Sequence, residues 1–329
     1  MKLVYDISSL LPYISWPYFY FAWQVKDESE KTRLRQEAES FLHRLEGHYH
    51  ASALFELFDA YSSGDDIVIS SPPKLGGARG GLKDPFSARG GLKDPFSARG
   101  GLKDPFSARG GLRSTEGRLL PTGRKNVHQS IAIPCLRQQQ GTPPYLCLSD
   151  FLSPEGNHNV QCSMFNVQCT LGVFATSVSP SLETDFSSDP YEKMMAQLLA
   201  DRLAEAAAER MHEQVRKEYW GYAKDENLTI PEMLVEKFQG IRPAVGYPSL
   251  PDTSLNFLID EIIDMKQIDI RLTESGAMKP HASVSGLMFA HPEARYFSIG
   301  KIGEDQLRDY ARRRGIPLEL SRRFLASNL

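Results

Sequence analysis

The sequence is short of the features that assign many chemistries on sight. Only four of its 329 residues are cysteine, namely Cys135, Cys147, Cys162 and Cys169, and none forms a Cys-x-x-Cys pair. That spacing argues against a disulfide-dense secreted scaffold and a structural zinc site, and it predicts reduced thiols in a cytoplasmic protein. No stretch of about 20 apolar residues occurs, so no membrane-spanning helix is expected. Leu10 to Val25 comes nearest, but Pro12 and Pro17 interrupt it, and Lys2 beside Asp6 is a poor leader charge. No small-residue cleavage site follows, so the stretch reads as a buried amphipathic segment rather than a signal peptide or anchor. His212-Glu213-Gln214-Val215-Arg216 lacks the second histidine of a zinc-protease helix, and no glycine-rich Rossmann turn follows a strand. Net charge is only −3, which by itself points to no class of partner, while 41% hydrophobic content supports a sizeable core.

What is present begins with a repeat. Ala-Arg-Gly-Gly-Leu-Lys-Asp-Pro-Phe-Ser occurs three times from Ala78 to Ser107, and a fourth copy starts at Ala108 and fades after Leu112. Gly-Gly and Asp-Pro in every unit prevent a helix or ladder from propagating, so residues 71–126 read as a disordered low-complexity insertion. Pro72 to Asn126 holds 12 Lys/Arg against 4 Asp/Glu, which leaves −11 on the rest of the chain. Arg-Gly-Gly units with Phe resemble RNA-binding tails, so one alternative is a non-enzymatic interaction protein whose loop binds RNA. An Asp and a single aromatic in each unit count against nucleic acid as a partner. Asn-Val-Gln-Cys also recurs, at Asn159 and Asn166, and such duplications are equally what a decayed gene fragment would carry.

The remaining pattern mixes helices and strands. Asp27 to Gly47 reads as an exposed helix, and Ile67-Val68-Ile69 as a strand entered from a Gly-Asp-Asp turn. Val167 to Val178 can pair as a further strand, with its register left open. Asp189-Pro190 opens the longest helix, with Pro in the first turn and Glu192 at the positive end of the dipole, and it should reach about Trp220. Met195, Leu199, Leu203, Ala206, Met211 and Val215 form its apolar stripe. Asp201 and Glu205, four apart, project on one side; on spacing alone they are a solvated face balanced by Arg202 and Arg210. Thr229-Ile230-Pro231-Glu232 is a capping box for a short helix running to Gly240. Ser283 to Ala290 and Arg295 to Ile302 read as a hairpin, Glu304 to Arg314 as a helix stopped by Gly315, and Pro317 to Leu325 as another. The arginines at 312–314 and 322–323 read as a solvated basic edge.

The stretch with the clearest chemical sense is Gln239-Gly240-Ile241-Arg242-Pro243-Ala244-Val245-Gly246-Tyr247-Pro248. Pro243 and Pro248 fix φ and Gly246 permits a tight turn, so Arg242 can be aimed at a carboxylate with little entropy lost. A helix follows, then Arg271 to Met278 and Ala282-Ser283-Val284-Ser285-Gly286-Leu287-Met288-Phe289, ending at Arg295-Tyr296-Phe297.

These words, together with Asp201-Arg202-Leu203-Ala204-Glu205 and Trp220-Gly221-Tyr222, resemble the C-terminal activation (reactivation) domain of cobalamin-dependent methionine synthase. The likeness covers Asp189 to Leu329 and, more faintly, Leu10 to Ile69; between them Cys135 to Gln139 and Leu146 to Phe151 match its pattern of a strand, an Arg-Gln-Gln word and a second strand ending Ser-Asp-Phe. It implies an α+β fold, a single curved domain with a central antiparallel sheet flanked by helices, interrupted by the long insertion. Residues 1–70 and 127–329 would then form the domain, with the site in the second part. The resemblance implies binding of S-adenosylmethionine, and reductive methylation of cob(II)alamin to methylcobalamin. Arg242 would hold the ligand's carboxylate, with Ala244 beside it, Tyr296 and Phe297 near the ligand, and Glu236 near the ribose. Ser15 stands where the family has an aspartate for the α-ammonium, so a neutral hydroxyl replaces a charge. Asp201 and Glu205 would face cobalamin. Cobalamin would be held by a separate domain, because no Asp-x-His-x-x-Gly motif occurs in this sequence. The implied partners are the cobalamin-binding domain of methionine synthase and flavodoxin, or a similar reductant, with no membrane involved. No protein nucleophile is needed, since cobalt is the nucleophile.

Overall fold

The computed structural model describes residues 1–70, 130–156 and 167–329. The repeat insertion and the first Asn-Val-Gln-Cys copy lie outside the described residues. Six strands build one curled antiparallel sheet around β2 (His50–Ser63), which is 14 residues long. The first half of β2 lies between β1 (Lys2–Asp6) and β5 (Thr170–Val178). Its far end pairs with β3 (Asp66–Ile69), and β3 pairs in turn with β4 (Ile131–Pro134). β8 (Ser283–Met288) closes the other edge of β5. One strand that changes partners along its length accumulates twist, which curls the sheet.

Alternation along the strands sends side chains to two cores. Ala51, Ala53, Phe55, Phe174 and Val178 pack with Phe41 and Leu42 of α3 (Glu28–Leu45) and with Leu199 and Leu203 of α4 (Pro190–Gln214). Leu54, Phe58, Leu171, Val173 and Ala175 point the other way, onto Leu255 and Ile259 of α6 (Leu255–Ile263). β5 is therefore buried along its whole length. The remaining short elements are α1 (Ile7–Leu10), α2 (Trp16–Ala22), α5 (Ile230–Leu234), and the two-residue pair β6 (Arg271–Leu272) and β7 (Met278–Lys279). At the C-terminus α7 (Glu304–Arg314) and α8 (Leu318–Phe324) enclose a small cluster around Leu307, Tyr310 and Ile299.

α4 forms where its caps and stripe require. The Asp189 side chain accepts from the backbone N–H groups of Tyr191 and Glu192 at 2.7 and 3.1 Å. Ala206, Ala207 and Ala208 are buried, and the Thr176 hydroxyl of β5 donates to the carbonyl of Ala204 at 3.0 Å. A π turn over Val215–Tyr219 carries the helix to Trp220 before Gly221. α3, α7 and the capping box of α5 also stand where expected.

Several expectations are corrected. Leu148–Phe151 forms a 3₁₀ turn instead of a strand, because the Asp150 carboxylate accepts from the Cys147 N–H at 2.8 Å and from Arg137. Cys135 to Gln139 is also no strand: β4 ends at Pro134, and a single bridge joins Arg137 to Cys147. α5 ends at Leu234, well short of Gly240. The hairpin after β8 does not form, since Arg295 to Ile302 is not a strand. Its backbone instead serves Pro248 (Ile299 N–H to Pro248 C=O, 2.9 Å) and Asn328 (Ile302 N–H to Asn328 C=O, 2.8 Å). The basic edge is largely neutralised: Arg313 pairs with Asp66 and Asp309, Arg314 with Asp252, and Arg322 with Glu304. Cys135 and Cys147 are free and buried, but Cys169 is disulfide-bonded, so the four thiols are not all reduced. No helix among the described residues is long and apolar enough to cross a membrane.

Candidate functional site

The Arg242 turn is stitched to the edge of β8. Ile241 and Phe289 exchange two backbone hydrogen bonds of 2.9 Å, Leu287 N–H donates to the Pro243 carbonyl at 3.0 Å, and Val245 N–H donates to Ser285 at 2.9 Å. This close approach requires glycine at 286, where a Cβ would stand 2.2 Å from the Pro243 carbonyl oxygen. Pro243, which has no N–H, accepts but does not donate in this pairing, and the Tyr247 N–H closes the following turn on Ala244 at 3.2 Å.

The Arg242 side chain points inward, with only 7% of it exposed. Its Nη2 donates to Glu209 of α4 at 2.5 Å, and its guanidinium lies 5.6 Å from the ring centroid of Phe174. Its Nε is buried without a partner among the described residues. The Tyr296 hydroxyl accepts from the Arg242 backbone N–H at 2.9 Å, and burial pushes that phenol up to about 12. One helical turn before Glu209, Glu205 accepts from the Tyr247 hydroxyl at 2.7 Å. Glu236 sits at positive φ (60°) on the rim. Desolvation and the Glu209 charge raise its carboxyl above the usual range, with Arg242 opposing them.

The structure thus brings together Arg242, Ala244, Tyr296, Glu236 and Glu205 out of those expected from sequence. Phe297 is partly buried against Phe151, 6.4 Å between centroids, and belongs to the core beneath the site. Ser15, at the start of α2, has no side-chain capping bond. Its neighbours Tyr13 and Tyr18 reach Glu213 (2.6 Å) and Arg202 (5.8 Å), which sets this segment along the same stretch of α4. Asp201 lies one turn before Glu205 and meets His281 at 3.5 Å; burial raises its carboxyl, partly offset by that imidazole.

Sequence reasoning missed Glu209 and Tyr247, and it placed His212 on the solvated side of α4 with Asp201 and Glu205. Glu209 continues the Asp201/Glu205 spacing by four more residues, and that periodicity could have revealed it. His212 is fully buried, both ring nitrogens lack partners, and it meets Phe238 edge-on at 5.0 Å. Burial, then the Arg216 and Arg242 charges, hold its proton affinity well below that of an ordinary imidazole. Arg216 lies 4.1 Å from the same Phe238 ring and is paired with Glu226 at 2.6 and 2.9 Å. A guanidinium backed by packed aromatics and paired to one carboxylate is suited to gripping a small zwitterion.

A family model described as vitamin B12 dependent methionine synthase, activation domain, matches residues 118–315. The chain belongs to this family. The activation domain is also similar to a solved structure, that of the MetH reactivation domain bound to AdoHcy. The two share 31% sequence identity and a TM-score of 0.75, and the match covers all of this chain and 90% of the other. Arg242, Glu236 and Tyr296 all lie within the residues matched to the methionine synthase activation domain. Among the described residues no group of three or more His, Cys, Asp or Glu is placed to hold a metal ion.

Proposed function

We propose that this activation domain binds S-adenosylmethionine at the Arg242 turn and presents its methyl group for the reductive methylation of cobalamin. The carrying observation is the buried Arg242 guanidinium with an unpartnered Nε, fixed on a Pro-braced turn bonded to β8. The bound AdoHcy in the similar MetH domain, whose ligand differs from S-adenosylmethionine by one methyl, supports this reading.

Each residue has a role of binding or orientation. Arg242 receives the ligand carboxylate, with Ala244 offering backbone atoms beside it. Tyr296 covers the site, Glu236 takes ribose hydroxyls, and Ser15 lines the amino end. Asp201 and Glu205, neighbours on the partly exposed side of α4, would face cobalamin carried by a separate domain of methionine synthase. Cobalamin, when present, supplies the cobalt that accepts the methyl. The domain contributes proximity and orientation, which can supply several kcal/mol of a barrier without any protein nucleophile. Flavodoxin or a similar reductant is the electron source this reading requires.

Titration calorimetry with S-adenosylmethionine tests the reading. Saturable binding is expected for the whole chain, with Arg242→Ala weakening it by at least about tenfold through loss of a charge-assisted contact. Equal uptake with and without the arginine would falsify it.

A further inference from the structure

A zwitterionic amino-acid end carries two charges, and the Arg242 turn accounts for only one of them. The carboxylates near Arg242 differ in how they are engaged. Glu205 is held by the Tyr247 hydroxyl, Asp201 faces His281 a turn away, and Glu236 lies on the rim with no hydrogen bond to the arginine. Among the carboxylates of the described residues, only Glu209 pairs with the Arg242 guanidinium, at 2.5 Å. Its side chain is 22% exposed against 7% for the arginine, so the carboxylate stands at the mouth and the guanidinium behind it. Two opposite charges side by side, one with an unpartnered buried N–H, are the complement of an α-carboxylate and an α-ammonium side by side.

We infer that Glu209 is a specificity-determining residue, whose carboxylate binds the α-ammonium of the ligand's amino-acid end while Arg242 binds its α-carboxylate. The inference rests on the S-adenosylmethionine reading above. On binding, the Arg242 fork turns its free Nε edge to the incoming carboxylate, and Glu209 exchanges part of its contact with Arg242 for the ammonium. No charge is left without a counter-charge at any stage, which matters because an unpaired buried charge is costly. Ser15, being neutral, cannot supply this counter-charge.

Two ligands separate this role from a structural one. S-adenosylmethionine carries the amino-acid end, whereas 5′-methylthioadenosine lacks both its charges but keeps the nucleoside and the sulfur. Calorimetry on the whole chain should show Glu209→Gln weakening S-adenosylmethionine by about tenfold or more while changing methylthioadenosine less than about twofold. Glu209→Asp, which keeps the charge on a shorter arm, should recover part of the loss. Equal weakening of both ligands, or no recovery with aspartate, overturns the inference in favour of a role in holding Arg242. Unchanged S-adenosylmethionine affinity in Glu209→Gln overturns the inference and leaves the binding reading intact. If the unaltered chain fails to take up S-adenosylmethionine at all, both fall together.

Discussion

His212 shows how a single buried side chain ties the site to stability. It lies on α4 three residues after Glu209, sealed from water, between the charges of Arg216 and Arg242. Its folded-state proton affinity is depressed, so the unfolded chain binds a proton there more readily than the folded one. The sign follows: stability is full above the ordinary imidazole value of about 6.5 and falls as pH drops from there toward the folded-state value. Chemical denaturation at stepped pH should show this loss below about 6.5, and His212→Gln should flatten it. An unchanged slope in that variant would sink the assignment. Among the residues of the turn and the helix facing it, Arg242 was legible because prolines and glycines around an arginine are a local signal. Glu209 and His212 were not, because a helix face shows charges at regular spacing whether they meet solvent or a buried arginine.

At the level of elements, the Arg242 turn depends on β8 more than on itself. Gly286 is where the two backbones touch, and a methyl there would collide with the Pro243 carbonyl and with the Ala244 Cα, 2.8 Å away. Gly286→Ala should force the turn off the sheet edge at a cost of about 1–3 kcal/mol, a value typical of overpacking. A fall of several degrees in Tm together with weaker S-adenosylmethionine binding is expected; weaker binding without a stability change would argue for a different coupling. The same contact explains why the hairpin expected after β8 is missing: residues 241–245 already occupy that edge, so 295–302 bonds to Pro248 and Asn328. Helices were the more legible elements. Caps such as Asp189 and Gly315 and the stripe of α4 act within one turn of the chain, whereas strand pairing depends on partners far away in sequence. The Ser-Asp-Phe word misled because a side-chain carboxylate bonded to its own backbone competes with a ladder.

For the whole molecule, the repeats fall in the connection between two strands that pair with each other. β3 and β4 pair directly, Ile69 opposite Ile131, so the chain leaves and re-enters the sheet at neighbouring positions. Deleting Ala78 to Leu112 shortens a connection between adjacent strands, and loop-closure entropy changes only slowly with length. The deletion variant should keep its S-adenosylmethionine affinity within about twofold and its Tm within a few degrees. A collapse of either would show that the segment contributes to the folded body. Such a chain would also be more acidic, at a formal −7, since residues 78–112 carry seven Lys/Arg against three Asp.

Sequence by itself determined the long capped helices, the mixed α+β class, the position of the insertion and the arginine of the turn. All of these are written in short-range chemistry: caps, glycine, proline and 3.6-residue periodicity. Only the tertiary structure decided which edge of β8 the turn would occupy, that Glu209 would be the arginine's partner, and that the C-terminal arginines would be spent on internal ion pairs. Those outcomes depend on residues tens to hundreds of positions apart arriving at the same place, and no local pattern encodes which of several equally polar groups will meet.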